Sequence, residues 1–317
     1  MAYPEASPRP VRVAAKDTIG QLIVELTLAP LDGDRLPDWE PGAHIDLHLP
    51  NGLVRQYSLC GKTNDRSRWR VAILHEIEGR GGSSYVHSTL SVGDVLNASG
   101  PRNNFRLEPA REYLFIGGGI GITPILPMID EVEGSGRPWR LVYGGRTRPS
   151  MAYLEEVAAL GDRVTIWPQD EQGLIDLDSL LGRPVPDRAI YCCGPEPLLN
   201  AVEERCAAWP AGALHIERFK ASTVSTGPDS AFEVELAQSD KVLTVPPHSS
   251  LLNELRRAGV DVPWSCENGT CGSCETTVIA GVPDHRDSVL TPSEREAGDT
   301  MMVCVSRAKS ERLVLDL

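Results

Sequence analysis

Four cysteines near the end of this chain have the types and spacing for redox chemistry. Cys266, Cys271 and Cys274 follow a C-x4-C-x2-C pattern, and Cys304 comes after 29 intervening residues. This is the ligand spacing of a plant-type [2Fe–2S] cluster, which moves one electron at a time and therefore needs a donor and an acceptor. Three thiolates on one loop can wrap so small a cluster only if the backbone curls around it, and Gly269 and Gly272 permit that curvature. Loop amides can then point at the sulfur atoms and hold negative charge. A structural zinc site also takes four thiolates, but zinc modules usually pair two short knuckles, whereas here the fourth cysteine stands alone.

Four stretches upstream carry groups suited to anions and nucleotides. Arg55-Gln56-Tyr57-Ser58 sets a cation, an aromatic face and a hydroxyl on one strand. Arg55 and Tyr57 share a face and can bracket an anionic aromatic ligand, or simply form a strand with a salt-bridged arginine. The run from Gly79 to Ser84 offers backbone N–H groups, hydroxyls and Arg80, which is the inventory for a phosphate or that of a surface loop. Gly117 to Pro124 (GGGIGITP) lies between a short apolar strand and a helix, where bare backbone and a helix N-terminus suit a pyrophosphate. It departs from the G-x-G-x-x-G fingerprint at Ile122. No acidic residue ends the next strand either, since Tyr143 is followed by Gly144-Gly145-Arg146. Cys193-Gly194 places a thiol and a second bare position at the same carboxyl edge, and alternation turns Cys192 to the opposite face as a buried hydrophobe.

These groups need elements to hold them. The first ~108 residues alternate apolar and polar over short runs broken by Gly, Pro, Asn and Asp, the pattern of an antiparallel barrel. One such run spans 21–28. From Tyr113 the pattern changes to strands at 113–116, 140–143, 164–167 and 189–192. Helical segments at 124–133, 151–160 and 196–208 separate them, which makes a parallel α/β layer. Residues 221–230 lack apolar periodicity and read as a linker. A strand, a loop and a helix over 251–258 then lead into the cysteine loop. The expected division is 1–109, 110–222, a linker at 223–230, and 231–317.

With 317 residues, two or three domains are expected, and 41% hydrophobic with 24% charged residues is ordinary for a soluble protein. No apolar run reaches ~18 residues, so no membrane-spanning helix is expected. The start lacks the apolar region of a signal peptide. Cys60, Cys192, Cys193 and Cys206 accordingly read as reduced thiols of a cytoplasmic protein. The net charge of −13 is uneven, with 15 acidic against 8 basic residues in 229–317. That sign disfavours nucleic acid, and it either steers a basic partner or serves solubility.

Together and in this order, the motifs resemble the phthalate dioxygenase reductase family across essentially the whole chain. The resemblance implies an FMN-binding antiparallel Greek-key barrel, an NAD-binding parallel α/β domain and a C-terminal α+β β-grasp ferredoxin domain, as in vanillate O-demethylase-type reductases. By motif, Arg55, Gln56, Tyr57 and Ser58 would contact the flavin ring and ribityl chain. Ile73, Leu74 and His75 would run beside the isoalloxazine, while Arg80, Gly81, Gly82 and Ser83 would take the phosphate. Gly118, Gly119, Gly121 and Gly194 would line the nucleotide, and Arg146 would lie toward its ribose. Thr123, Cys193 and Phe219 would position nicotinamide against flavin. The implied reaction is hydride transfer from NADH to the flavin, then single-electron steps to the cluster and on to a separate terminal oxygenase. FMN rather than FAD rests on the Gly79–Ser84 loop. NADH over NADPH is the weaker choice, because Arg146 and Arg148 could pair with a 2′-phosphate. The implied partners are NADH and a Rieske-type aromatic dioxygenase or O-demethylase, with a cytochrome P450 or quaternary-amine oxygenase as the alternative. A monomer that uses neither nucleic acid nor membrane is expected. A zinc-held interaction protein and a self-contained flavin oxidoreductase are the competing classes.

Overall fold

Alternating apolar residues build the first sheet of the computed structural model, which describes residues 8–31, 33–220 and 229–317. The strands are β1 (Arg9–Gly20), β2 (Ile23–Pro30), β3 (His44–His48), β4 (Val54–Ser58), β5 (Trp69–Leu74) and β6 (Val95–Arg102). They pair antiparallel in the order β4-β3-β6-β1-β2-β5, and β6 between β3 and β1 is the Greek-key crossing. Past β4 the sheet closes on itself: Leu59 bridges Val71 of β5, and the Cys60 amide donates to the Arg70 carbonyl at 3.0 Å. Closure puts Val13, Leu26, Ile45, Leu47, Val71 and Ile73 into one core, each contributing about 1.5–3 kcal/mol by burial.

Two local readings change. The run 21–28 is not one strand, because Gln21 and Leu22 form the β1–β2 turn, with Leu22 at φ 61°. The Gln21 amide donates to the Pro149 carbonyl and anchors this turn. The glycine-rich loop is shorter than expected, since α1 (Gly82–Ser88) begins inside it. Its Val86 is fully buried in the barrel core, and burial of that one side chain outweighs the poor helix propensity of glycine.

The second sheet is wholly parallel. Strands β7 (Glu112–Gly118), β8 (Trp139–Gly145), β9 (Val164–Pro168), β10 (Arg188–Cys193) and β11 (Leu214–Glu217) run in the order β11-β10-β7-β8-β9. Between them lie α2 (Ile125–Ser135), α3 (Leu154–Ala158), α4 (Gln169–Gln172), α5 (Leu177–Leu181) and α6 (Glu196–Cys206). Cys192 and Cys193 enter different apolar clusters on opposite faces, as their alternation requires. The barrel and this sheet form one compact unit, Ala6–Glu217. A buried polar link ties them: the Tyr153 hydroxyl donates to Glu25 Oε2 at 2.7 Å and lies 3.1 Å from Cys60 Sγ, while Arg70 Nε donates to the same Glu25 oxygen at 2.9 Å. Tyr153 takes φ 55° at the start of α3, so the helix expected over 151–160 shrinks to five residues.

The second unit, Arg218–Leu317, holds the cysteines. Its elements are β12 (Phe232–Leu236), β13 (Lys241–Val245), α7 (Leu251–Arg257), β14 (Glu275–Ala280), β15 (Pro283–Asp284), α8 (Pro292–Ala297), β16 (Thr300–Met302), β17 (Arg307–Ala308) and β18 (Arg312–Leu315). The mixed sheet β13-β12-β18-β14-β16 pairs its first and last long segments, β12 and β18, in parallel. Helix α7, capped by Ser250 Oγ on the Asn253 amide, packs Leu251, Leu252 and Leu255 into the core, which completes a β-grasp. Of the expected linker 223–230, residues 223–228 lie outside the described residues. Among the described residues no helix is long and apolar enough to cross a membrane.

Candidate functional site

Cys266, Cys271, Cys274 and Cys304 are 5%, 2%, 3% and 7% exposed, so the loop holds its thiols inside the fold. Gly269, at φ 69°, lets the loop turn flat against Val305 and Asp287, and a Cβ there would lie 2.6 Å from Val305 Cγ2. The Asn268 and Thr270 amides donate to Cys266 Sγ at 3.3 and 3.5 Å. The neighbouring Cys271 and Cys304 thiols, with a smaller contribution from those amides, drive Cys266 well below the ordinary thiol value, while Cys271 and Cys304 are pushed up as the proton-holding partners. Cys274 is likewise lowered, by Cys304. Among the described residues no three or more His, Cys, Asp or Glu side chains close on a single-ion site. A two-iron cluster spreads four thiolates over two metals, and the four thiols form one connected group, with Cys266 beside Cys271 and Cys304, and Cys304 also beside Cys274.

A second constellation forms where β4, the end of β5 and α1 meet. The Arg55 side chain lies across Gly82, where a Cβ would come within 2.6 Å of Nε, and one guanidinium nitrogen donates to the Arg80 carbonyl at 3.3 Å. Burial and the adjacent Arg80 charge lower the Arg55 pKa. Neither arginine forms an ion pair among the described residues, so two like charges sit together at a bare backbone turn, which fits a phosphate. Ser83 Oγ accepts from the Glu76 amide at 3.0 Å, and Gly81 precedes α1 at φ 86°. His75 lies 3.2 Å from Ser84 Oγ and stacks on His87 at 4.7 Å. Leu74 packs toward the parallel sheet, whereas the Ile73 side chain is inside the barrel and leaves only its backbone for a ligand. The Gln56 amide donates to Asp46 at 2.9 Å, and burial raises the Tyr57 pKa.

The third cluster joins barrel to sheet. Cys193, at the end of β10, is fully buried, and its thiol donates to Glu217 Oε2 at 3.9 Å across the β10–β11 register. The Ser58 hydroxyl of β4 is buried near the same carboxyl without forming a hydrogen bond to it. Burial raises the Glu217 pKa to about 8, against smaller lowering contributions from Cys193 and Ser58. Burial, and after it the neighbouring Glu217 carboxyl, raises the Cys193 thiol well above its ordinary value. Bare backbone closes the floor: a Cβ on Gly121 would lie 2.2 Å from the Cys193 carbonyl oxygen, and one on Gly194 would lie 2.9 Å from Gly118 Cα. Gly119 opens the following turn at φ 56°. Thr123 is 2% exposed, with its hydroxyl donated to the Ile120 carbonyl at 2.9 Å. Phe219 is 42% exposed just past β11, and Arg146 is exposed after β8. Glu217 escaped the sequence reading. Its signal was a lone acid ending the short apolar strand Leu214–Glu217, in register with Cys193.

Comparison with known proteins places this geometry. Residues 115–204 match the oxidoreductase NAD-binding domain, and residues 234–309 match the 2Fe-2S iron-sulfur cluster binding domain. The chain is 41% identical over 313 residues to the reductase subunit of a toluene-4-sulfonate monooxygenase system from Comamonas testosteroni, covering 97% of this chain and 98% of the relative. Against the solved structure of phthalate dioxygenase reductase, described as modular for electron transfer from pyridine nucleotides to [2Fe-2S], identity is 38% and the TM-score 0.72, over 98% of both chains. An intact type IV self-sufficient cytochrome P450 monooxygenase aligns at 43% identity and TM-score 0.91. The match covers 98% of this chain but only 41% of the P450 chain.

Proposed function

The chain belongs to the phthalate dioxygenase reductase family, and from that premise we propose that it carries electrons from NADH through FMN and its [2Fe–2S] cluster to a separate terminal oxygenase. It is an oxidoreductase with an NAD-binding domain and a 2Fe-2S domain. The observation that carries the finer reading is the contact of Cys193 with Glu217 at the carboxyl edge of a nucleotide sheet that forms one compact unit with the barrel. In open α/β sheets that edge is where ligands bind. A bound flavin supplies the conversion between two-electron hydride chemistry and single-electron release.

The residues of the chain hold and orient. Arg55 and Arg80 neutralise a phosphate over Gly82, which favours FMN, a ligand that ends at that phosphate. Gly118, Gly121 and Gly194 remove side chains where the nicotinamide end approaches, and the buried Cys193 packs that edge. Burial raises the Glu217 pKa to about 8, which favours a neutral carboxyl over a buried charge at the joint between barrel and sheet. Hydride transfer needs no general base, and the task of the site is alignment and exclusion of water. We assign 1–109 to the flavin, 110–222 to the nucleotide and 231–317 to the cluster. Eight free, buried cysteines suit a reducing compartment such as the cytoplasm.

The P450 match favours a second acceptor, a cytochrome P450 in place of a Rieske oxygenase. The test common to both begins with anaerobic NADH titration of the purified protein. Flavin and cluster absorbance should bleach with about three electrons in total. A colourless protein, or one that NADH leaves unchanged, overturns the reading. Mixing the reduced protein with each acceptor class then ranks the two partners by rate.

A further inference from the structure

The cysteine-bearing unit holds a cleft of about 540 Å³ between the β15–β17 ribbon, the end of α8 and Ser230. Charged side chains make up most of its wall, so it suits a charged ligand rather than an apolar one. Aspartates and carbonyls fix the arginines there. Arg286 donates to Asp284 at 2.8 Å through Nε and to Asp229 at 2.7 Å through one terminal nitrogen. Arg295 donates to the Leu290 carbonyl at 3.0 Å and to the carbonyl and carboxylate of Asp287. Arg307 spends both terminal nitrogens on the Ser230, Pro246 and Ser249 carbonyls. Arg286 and Arg295 each keep one terminal nitrogen without a partner among the described residues, and exposed Lys309 Nζ has none either. His285 lines the same cleft with its side chain 7% exposed, and neither ring nitrogen completes a hydrogen bond, the Asp287 carboxylate being 4.0 Å from Nδ1.

We propose that this cleft binds a small hydroxylated organic phosphate. The aspartates balance most of the arginine charge, so recognition falls to the unspent donors rather than to a net field. Two guanidinium groups held in place by carboxylates and one ammonium group present N–H donors to phosphate oxygens without first losing side-chain freedom. A phosphate oxygen would also supply the acceptor that the His285 ring lacks, which removes the cost of a buried orphan donor. Exposed Glu296, on the α8 side of the cleft, is left to accept from a ligand hydroxyl. The cleft volume exceeds what a bare oxyanion fills and lies in the range of small-molecule sites. Its residues belong to the unit that holds the cysteines, so this site is separate from the arginine turn and the glycine floor of the larger unit.

Calorimetric titration of the full-length holoprotein with glycerol 3-phosphate tests the site, with inorganic sulfate as the bare-anion probe. Glycerol 3-phosphate should bind saturably and more tightly than sulfate. Lys309→Gln should weaken it about fivefold, since one charge-assisted donor is lost from a side chain that supports nothing else. His285→Gln should weaken it as well. Lys241→Gln makes the same charge change on β13, outside the cleft, and should leave binding as it was. Retention of the cluster's visible spectrum shows that each variant is folded. No saturable binding of either probe, or binding that Lys309→Gln and His285→Gln leave unchanged, overturns the site. Equal weakening by Lys241→Gln and Lys309→Gln overturns it too, because general charge would then explain the effect. Sulfate binding as tight as that of glycerol 3-phosphate overturns the organic phosphate.

Discussion

Replacing Glu217 with Gln isolates a proton that the fold holds against solvent. The carboxyl is buried beside Cys193 and Ser58, and its pKa is raised from the ordinary 4.5 to about 8. The folded state therefore binds this proton more tightly than the unfolded chain does. Its contribution to stability is complete below about 4.5, shrinks as pH rises, and is lost above about 8. At about 1.36 kcal/mol per pH unit that interval amounts to a ceiling of roughly 5 kcal/mol, comparable to the whole stability of many domains. Gln keeps the shape and a neutral donor but cannot ionise, so Glu217→Gln should gain stability relative to the unmodified protein as pH rises from 5 to 9. Scanning calorimetry of both proteins across that range, following the transition of the larger unit, reads the difference directly. The rate of anaerobic flavin reduction by NADH should fall through about pH 8 in the unmodified protein and stay flat in the variant. Parallel stability curves over the whole range would refute a buried, proton-holding Glu217.

Three further outcomes follow from the geometry. Gly121→Ala places a Cβ 2.2 Å from the Cys193 carbonyl oxygen, so the turn must shift; stopped-flow reduction by NADH should slow by about tenfold or more while the cluster spectrum survives. Cys304→Ala removes one ligand from the buried nest and should abolish the cluster's visible absorbance and electron delivery. Flavin bleaching by NADH should persist, because its residues lie in the other unit. Tyr153→Phe deletes the hydroxyl shared by Glu25 and Cys60 and should cost about 1–3 kcal/mol, measured by urea unfolding; an unaltered midpoint would show that the link does not hold barrel to sheet.

What the amino-acid order decided by itself is whatever local spacing encodes. The C-x4-C-x2-C run carries three ligands on one loop, so its chemistry is legible before any fold is known. Period-two alternation in the first hundred residues, and the later change to strand–helix repeats, disclosed the barrel and the parallel layer for the same reason. Local pattern failed where a distant contact paid a local cost: Val86 drew a helix into the glycine loop, and Tyr153 left helical geometry to reach Glu25. Only the tertiary structure decided which charged and polar groups meet. Glu217 meets Cys193 because β11 lies in register beside β10, and Arg148 pairs with Glu171 because β9 lies next to β8. Strand order follows from burying whole apolar faces, which no single window of residues specifies, and the polar partners at the strand ends are consequences of that order.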